Sequence, residues 1–335
     1  RVNPVYIPAW IALAELENDV GHLTRSVEIL EYLEHIMLGV VRWRWEKAML
    51  AYLLGREDIF KADLAWLLQQ ESLSGQTRNN ILNFAFSLWQ DPSELVKEMG
   101  KENTVSLFLH ALHSKNIDTA MFLWSRADLA ELDKQRVLPY IDLLIRNQRV
   151  DEAAVIWQQY YPSDTLLYNG NFSLPLVKGG FGWRAWPRIL HDEGIDLVVL
   201  NQGAEKSALH IHFNGKNNIR LSYQIKQIIP LPPGQSFTLT GEMRSKELTT
   251  DQRPFFEVIG QPSVDECSMW YGTEMVGENQ DWTPFTLSFT VPDECNQGVL
   301  LRLRRRRSKK IDSLISGDLW LTNLSIQKES LGPFQ

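Results

Sequence analysis

Ile117-Asp118-Thr119-Ala120-Met121-Phe122-Leu123-Trp124 and Val150-Asp151-Glu152-Ala153-Ala154-Val155-Ile156-Trp157 follow one pattern, offset by 33 residues. A β-branched residue opens each stretch, alanine follows at the fourth position, and tryptophan closes it at the eighth. Ile59, Ala62 and Trp66 make a third copy. Ahead of the three alanines stand small or aliphatic pairs: Leu53 and Leu54, Ala111 and Leu112, Leu144 and Ile145. Spacings of three and four place such side chains on one helix face. Alanine lets two helices approach closely, and the tryptophan one turn later fills the groove against the next unit. A period of this length is one helix-turn-helix unit, which buries its apolar face only by stacking on its neighbours.

Outward from these stretches, helical periodicity runs from Pro4 to Pro162, with Gly55, Ser74-Gly75, Asp91-Pro92 and Gly100 as breaks. Asp91 before Pro92, with Glu94 three residues on, predicts a helix start. Residues 4–162 resemble tetratricopeptide-like helical repeats. Trp10, Leu13, Ala14 and the turn residue Gly21 match the first unit, and Leu143 to Ala153 the last. The middle departs from the pattern, with Leu95 at the alanine position, and Gln148 replaces the turn glycine of the last unit. Four or five repeats are expected, and the resemblance implies a groove that docks a protein partner.

At Tyr160-Tyr161-Pro162-Ser163-Asp164 the period changes from helical to alternating. Strands are predicted over 197–201, 208–213, 219–228, 236–245, 254–260, 282–291, 299–307 and 318–327. The expected fold is therefore a multidomain α and β chain. Residues 1–162 form an N-terminal α-solenoid, and residues 163–335 a C-terminal antiparallel β-sandwich, a jelly roll.

Asn169-Gly170-Asn171-Phe172, Gly182-Trp183, Gln280-Asp281-Trp282-Thr283-Pro284-Phe285 and Gly317 to Ile326 carry a second resemblance, covering about 166–328. They resemble carbohydrate-binding modules of the galactose-binding-like sandwich class. That class implies a glycan platform on one sheet face, and often a structural calcium held by an aspartate before the closing asparagine. Here Thr322 precedes Asn323, and a hydroxyl is a weaker calcium ligand than a carboxylate. No cofactor is expected.

Alternation places Leu209, Ile211, Phe213, Leu221, Tyr223, Ile225, Phe237, Leu239, Leu301 and Leu303 inward. His210, His212, Arg220, Glu242, Arg244, Arg302, Arg304 and Arg306 then face outward, on what reads as one arginine-rich face suited to an anionic or heavily hydroxylated glycan. Trp183, Trp186, Trp270 and Tyr271 stand in glycine-flanked irregular stretches, where aromatics stack on sugar rings. The glycan-binding candidates are thus Trp183, Trp186, Trp270, Tyr271, Arg244, Glu242, Arg302 and Arg304. Packing in a core is the competing role for each tryptophan, and solvated Arg–Glu ladders the competing role for the charges. Trp282 and Trp320 are assigned to the core. The tail 305–310 reads as a solvated hairpin loop.

Composition narrows the functions. Hydrophobic content of 44% and charged content of 22% are those of a folded protein. Residues 1–162 hold 16 Lys+Arg against 22 Asp+Glu (−6), and 163–335 hold 18 against 19 (−1), recovering the net −7. An acidic helical half argues against a nucleic-acid partner. No apolar run spans a membrane. Cys267 and Cys295 fit one disulfide in an exported protein or two thiols in a cytosolic one. The chain begins at Arg1, which leaves room for a signal peptide or membrane anchor upstream. His210 and His212 share a strand face with no third metal ligand at suitable spacing. No GxSxG, HExxH, P-loop or GxGxxG occurs, and Glu242 with Glu257 is the one carboxylate pair to nominate for glycoside hydrolysis.

The reading is a non-enzymatic adaptor of a bacterial cell envelope, periplasmic or extracytoplasmic. Its solenoid binds a protein and its sandwich a glycan, in a setting that the resemblance links to surface polysaccharide assembly or export. The alternatives are a purely structural or protein-binding sandwich, and a glycan-active enzyme.

Overall fold

The computed structural model describes residues 6–126, 132–202, 206–262, 266–311 and 313–329. By its contacts the chain forms two compact units, Arg1–Asp133 and Lys134–Gln335. The first unit holds α1 (Ile7–Asp19), α2 (Leu23–Ile36), α3 (Arg44–Leu53), α4 (Glu57–Leu68), α5 (Gly75–Leu88), α6 (Pro92–Met99), α7 (Thr104–His113) and α8 (Ile117–Trp124). Helices α9 (Lys134–Arg146) and α10 (Val150–Tyr160) belong to the second unit, with the sheets.

Helices pair with their sequence neighbours: α1 with α2, α3 with α4, α7 with α8, and α9 with α10. The four pairs close with one turn. Gly21, Gly55, Lys115 and Gln148 take the left-handed conformation, at φ 84°, 70°, 57° and 58°. In each, the next residue's N–H returns to a carbonyl five positions back (His22 to Glu17, Arg56 to Ala51, Asn116 to Ala111, Arg149 to Leu144) at 2.8–2.9 Å. This is the Schellman closure, which glycine makes without strain and other residues do not. Between the pairs, α5 starts at Ser74, whose hydroxyl accepts from Thr77 N at 3.1 Å. The predicted start of α6 is present: Asp91 Oδ1 accepts from Ser93 N at 2.7 Å. What stands established here is a run of paired helices with a recurring turn.

The second unit continues with β1 (Arg184–Ala185), α11 (Pro187–Asp192), β2 (Ile195–Gln202), β3 (Lys206–Asn214), β4 (Ile225–Ile229) and β5 (Gln235–Lys246). Then come β6 (Phe255–Gly260), β7 (Trp270–Gly272), β8 (Gln280–Val291), β9 (Val299–Arg304) and β10 (Ser316–Lys328). Sheet one has the order β1-β4-β9-β6-β7 and sheet two the order β2-β3-β10-β5-β8. All pairings are antiparallel, giving a two-sheet sandwich. Leu209, Ile211, Phe213, Leu239, Leu301, Leu303, Leu319 and Leu321 fill the space between the sheets, as period-two alternation requires. The opening motif is pinned to the last strand, since Gly170 O accepts from Leu324 N at 3.0 Å. A Cβ on Gly170 would lie 1.9 Å from Leu324 O, so only glycine fits. Cys267 and Cys295 are joined in a disulfide buried in this core.

Three local departures have physical causes. The strand expected over 219–228 begins only at Ile225, because Gln224 Oε1 accepts from the N–H groups of Ser222 and Tyr223 at 2.7 and 3.0 Å, closing a turn. The strand expected to reach 307 ends at Arg304. Arg305 is wholly buried rather than solvated: it donates to Gln252 O at 2.9 Å, to Ser313 O at 3.3 Å and to Ile219 O, and burial lowers its pKa to about 10. It holds three loop carbonyls that lack strand partners.

Candidate functional site

On β6 and β9, residues alternate between Phe256, Val258, Leu301 and Leu303, which enter the core, and Glu257, Arg302 and Arg304, which face out. One row crosses sheet one on this outer face: Lys226 opposite Arg302, Arg302 opposite Glu257, and Glu257 opposite Gly272. Arg302 Nε and Nη2 both donate to Glu257 Oε2, at 2.8 and 2.7 Å, and Arg304 Nε lies 3.5 Å from the same oxygen. Glu257 Oε1 accepts the Trp270 indole N–H at 3.1 Å. Arg304 Nη1 donates to Leu221 O at 2.8 Å. These are buried charges oriented by hydrogen bonds within the protein.

Aromatic rings stand at both ends of the row. Trp270 is 53% exposed, and its indole lies over Gly272, where a Cβ would come within 3.3 Å of the ring. A bare glycine therefore lets the indole lie across the strand towards Glu257. Tyr223 is 52% exposed, with the Arg302 guanidinium 4.6 Å and Lys226 Nζ 5.1 Å from its ring centre. Arg306 lies 5.5 Å from the Phe255 ring. From β4 to β7 are three strand spacings, about 14 Å. Burial lowers the pKa of Lys226, and the charges of Arg184 and Arg302 lower it further. Burial also lowers that of Arg304; Glu257 opposes this, while Arg302, Arg220 and Arg306 add to it.

The residues singled out by sequence divide. Trp270, Arg302 and Arg304 lie together on this face. Trp183 does not: at 1% exposure it is core, 5.4 Å from the Phe172 ring. Tyr271 sits opposite Val258 and turns inward, 6.1 Å from Phe289, since it alternates with Trp270 on a strand the sequence reading took for a loop. Trp186 is 38% exposed at the start of α11, outside the strands. Glu242 and Arg244 lie on β5, and so on the outer face of sheet two. The single arginine face read from alternation is two faces, separated by the core.

Sheet two has its own polar cluster. Glu242 Oε1 accepts from Asn323 Nδ2 at 2.7 Å. Trp320, assigned to the core by sequence, faces out between His210, stacked at 4.8 Å, and Arg244, at 5.2 Å. Trp282 is half-buried and outside the core cluster. His210 Nε2 and His212 Nδ1 stand 2.8 and 2.9 Å from Asp318 Oδ1. Burial raises the Asp318 pKa, but the hydrogen bonds and charges of the two histidines together outweigh it and leave the carboxyl below its usual range. The sequence reading missed Tyr223, placed inward by an unbroken strand, and Glu257 as the anchor of Trp270.

Glu242 and Glu257 face away from each other on opposite sheets, so they do not flank one glycosidic bond. Among the described residues no group of three or more His, Cys, Asp or Glu is assembled as a metal site. At the position where the resembled modules hold calcium, Thr322 Oγ1 donates to Ser207 O at 2.7 Å. This hydroxyl–carbonyl pair is already satisfied and brings no negative charge, which does not fit calcium.

No protein-family model matches the chain, and no curated protein does. Solved structures similar to it include a CBM4 carbohydrate-binding module, at 18% identity and TM-score 0.34, covering 49% of this chain and 99% of that one. A family 16 carbohydrate-binding module follows at 15% identity and TM-score 0.32, covering 48% and 99%. The CBM22-2 xylan-binding domain from Paenibacillus barcinonensis Xyn10C has 11% identity and TM-score 0.29, covering 44% and 91%. Enzyme chains are also among the matches: an exo-beta-agarase is covered over 23% of its length, and an apo-form cyclase from Fischerella sp. over 93%. The matches span about half of this chain, and the sandwich assignment rests on its own strand pairings.

Proposed function

We propose that the chain is a non-enzymatic glycan-binding adaptor, and that the outer face of sheet one is its glycan platform. One observation carries this reading: two half-exposed rings, Trp270 and Tyr223, flank a buried, hydrogen-bonded floor of Arg302, Glu257 and Arg304. Sugar rings present C–H faces that stack on aromatics and hydroxyls that bridge charged groups. The span of about 14 Å suits an oligosaccharide better than a single sugar. The paired helices and their recurring turn support a tetratricopeptide-like solenoid that docks a protein partner. The buried disulfide and the platform together support an extracytoplasmic setting in a bacterial envelope, with surface polysaccharide as the substrate being handled.

The test is a glycan array probed with the full chain and with Trp270→Ala and Tyr223→Ala. Tyr223→Ala should keep the wild-type melting temperature, Trp270→Ala should melt somewhat lower because it takes a donor from buried Glu257, and binding should fall about tenfold or more in both. Undiminished binding in both variants would move the site elsewhere, and a blank array would reject the platform. Pull-down with the helical residues as bait tests the partner.

A further inference from the structure

We infer that the ligand of this face is an acidic glycan, one that carries carboxylate or sulfate groups along its chain. The inference rests on the reading of the face as a glycan platform. The protein as a whole is acidic, with net charge −7, yet Arg220, Lys226, Arg302, Arg304 and Arg306 gather around Tyr223, Phe255 and the central row. Glu257 is the carboxylate in ion-pair range of this group, and Arg302 and Arg304 occupy it. Arg220, Lys226 and Arg306 have no ion-pair partner among the described residues. Glu193 accepts from the Gln224 amide at 3.3 Å, and Glu274 is exposed just beyond β7; neither pairs with these cations. Arg184, at the β1 edge, is already matched by Asp142 on α9, at 2.6 Å.

Among the described residues the fold answers Lys226 with the Tyr223 ring and with no ion-paired carboxylate. Half-burying Lys226 between other cations removes water from its ammonium and returns no counter-charge, which costs stability. A neutral sugar would leave that cost in place. A carboxylate or sulfate relieves it, because guanidinium forks and the ammonium form charge-assisted hydrogen bonds to such oxygens. The rings decide between a sugar chain and a bare polyanion. Trp270 and Tyr223 offer stacking surface that phosphate or carboxylate alone does not use. Burial holds Lys226 and Arg304 below their usual pKa, and the mutual repulsion of the cations that adds to it is the field an anionic ligand would meet.

The experiment presents the full chain with uronate-bearing, sulfated and neutral glycans, a carboxyl-reduced form of each uronate polymer, and polyglutamate. The expected result is binding to a uronate or sulfated glycan that weakens about tenfold or more on carboxyl reduction or desulfation, and weakens again as salt is raised. Lys226→Met, which removes a half-buried charge, should weaken it several-fold with melting equal to or above the wild type. Arg306→Gln should weaken it several-fold with unchanged melting, and Trp270→Ala should remove it. Which of the uronate and sulfate arms binds identifies the group. Binding confined to neutral glycans, indifferent to Lys226→Met, would overturn the inference and leave the platform standing. A blank array overturns both. Binding of polyglutamate as tight as any glycan, and insensitive to Trp270→Ala, also overturns both.

Discussion

Trp270 donates its indole N–H to Glu257 Oε1 at 3.1 Å, so an exposed ring is oriented by a carboxylate that is itself 2% exposed. The other oxygen of Glu257 holds Arg302 at 2.7 Å. One buried side chain therefore fixes both the stacking surface and the donor fork of the proposed platform.

Glu257→Gln should cost more stability than its small change in shape suggests. It leaves the buried Arg302 and Arg304 without their counter-charge, and breaking such a pair costs about 3–5 kcal/mol. Urea unfolding of the variant checks this. A loss below about 1 kcal/mol would mean that water already screens the pair.

Lys115 and Gln148 sit at φ 57° and 58° in turns where Gly21 and Gly55 occupy the same place. Lys115→Gly and Gln148→Gly should each stabilise the protein by about 0.5–1 kcal/mol, because glycine enters the left-handed region without the Cβ clash. A lower melting temperature in both variants would show that these turns are not equivalent.

Joining Cys267 to Cys295 closes a loop of 28 residues. Chain entropy assigns such a closure about 3–4 kcal/mol, so the double serine variant should unfold at clearly lower urea. Equal midpoints with and without the bond would reject that assignment.

His110 is buried with its ring 4.7 Å from Phe86, and burial, then the charge of His113, holds its pKa below 6.5. The unfolded chain takes up this proton more readily than the folded one. The neutral ring's contribution is thus complete above pH 6.5 and is lost as pH falls through the lower folded value. Urea midpoints measured between pH 7.5 and 5 should fall less steeply in His110→Phe than in the wild type. Parallel slopes would exclude His110 as a source of acid sensitivity.

Thr322 Oγ1 is committed to Ser207 O at 2.7 Å and brings no negative charge, so chelator is expected to leave melting unchanged. A drop of several degrees in EDTA, reversed by calcium, would contradict that expectation.

Much of the fold was legible because its signals are local. Ala120 and Trp124 lie one turn apart on α8, as the spacing of three and four demands, and Asp91 starts α6. Leu209, Ile211 and Phe213 enter the core because successive strand residues alternate faces whatever their partner strands are. Where short-range rules failed, a side chain had competed with the strand. Gln224 turned 222–224 outward and exposed Tyr223, and Arg305 ended β9 by binding loop carbonyls.

The candidate site was only half legible. Alternation tells inside from outside, and it placed Glu242, Arg244, Arg302 and Arg304 outside correctly. It does not say which outside. That depends on β5 pairing with β10 and β8 while β9 pairs with β4 and β6, contacts between segments far apart in the chain. The sequence by itself determined which residues leave the core. Only the tertiary structure decided that Trp270, Tyr223, Glu257 and Arg302 leave it on the same side, because strand pairing is a non-local choice that a period of two does not encode.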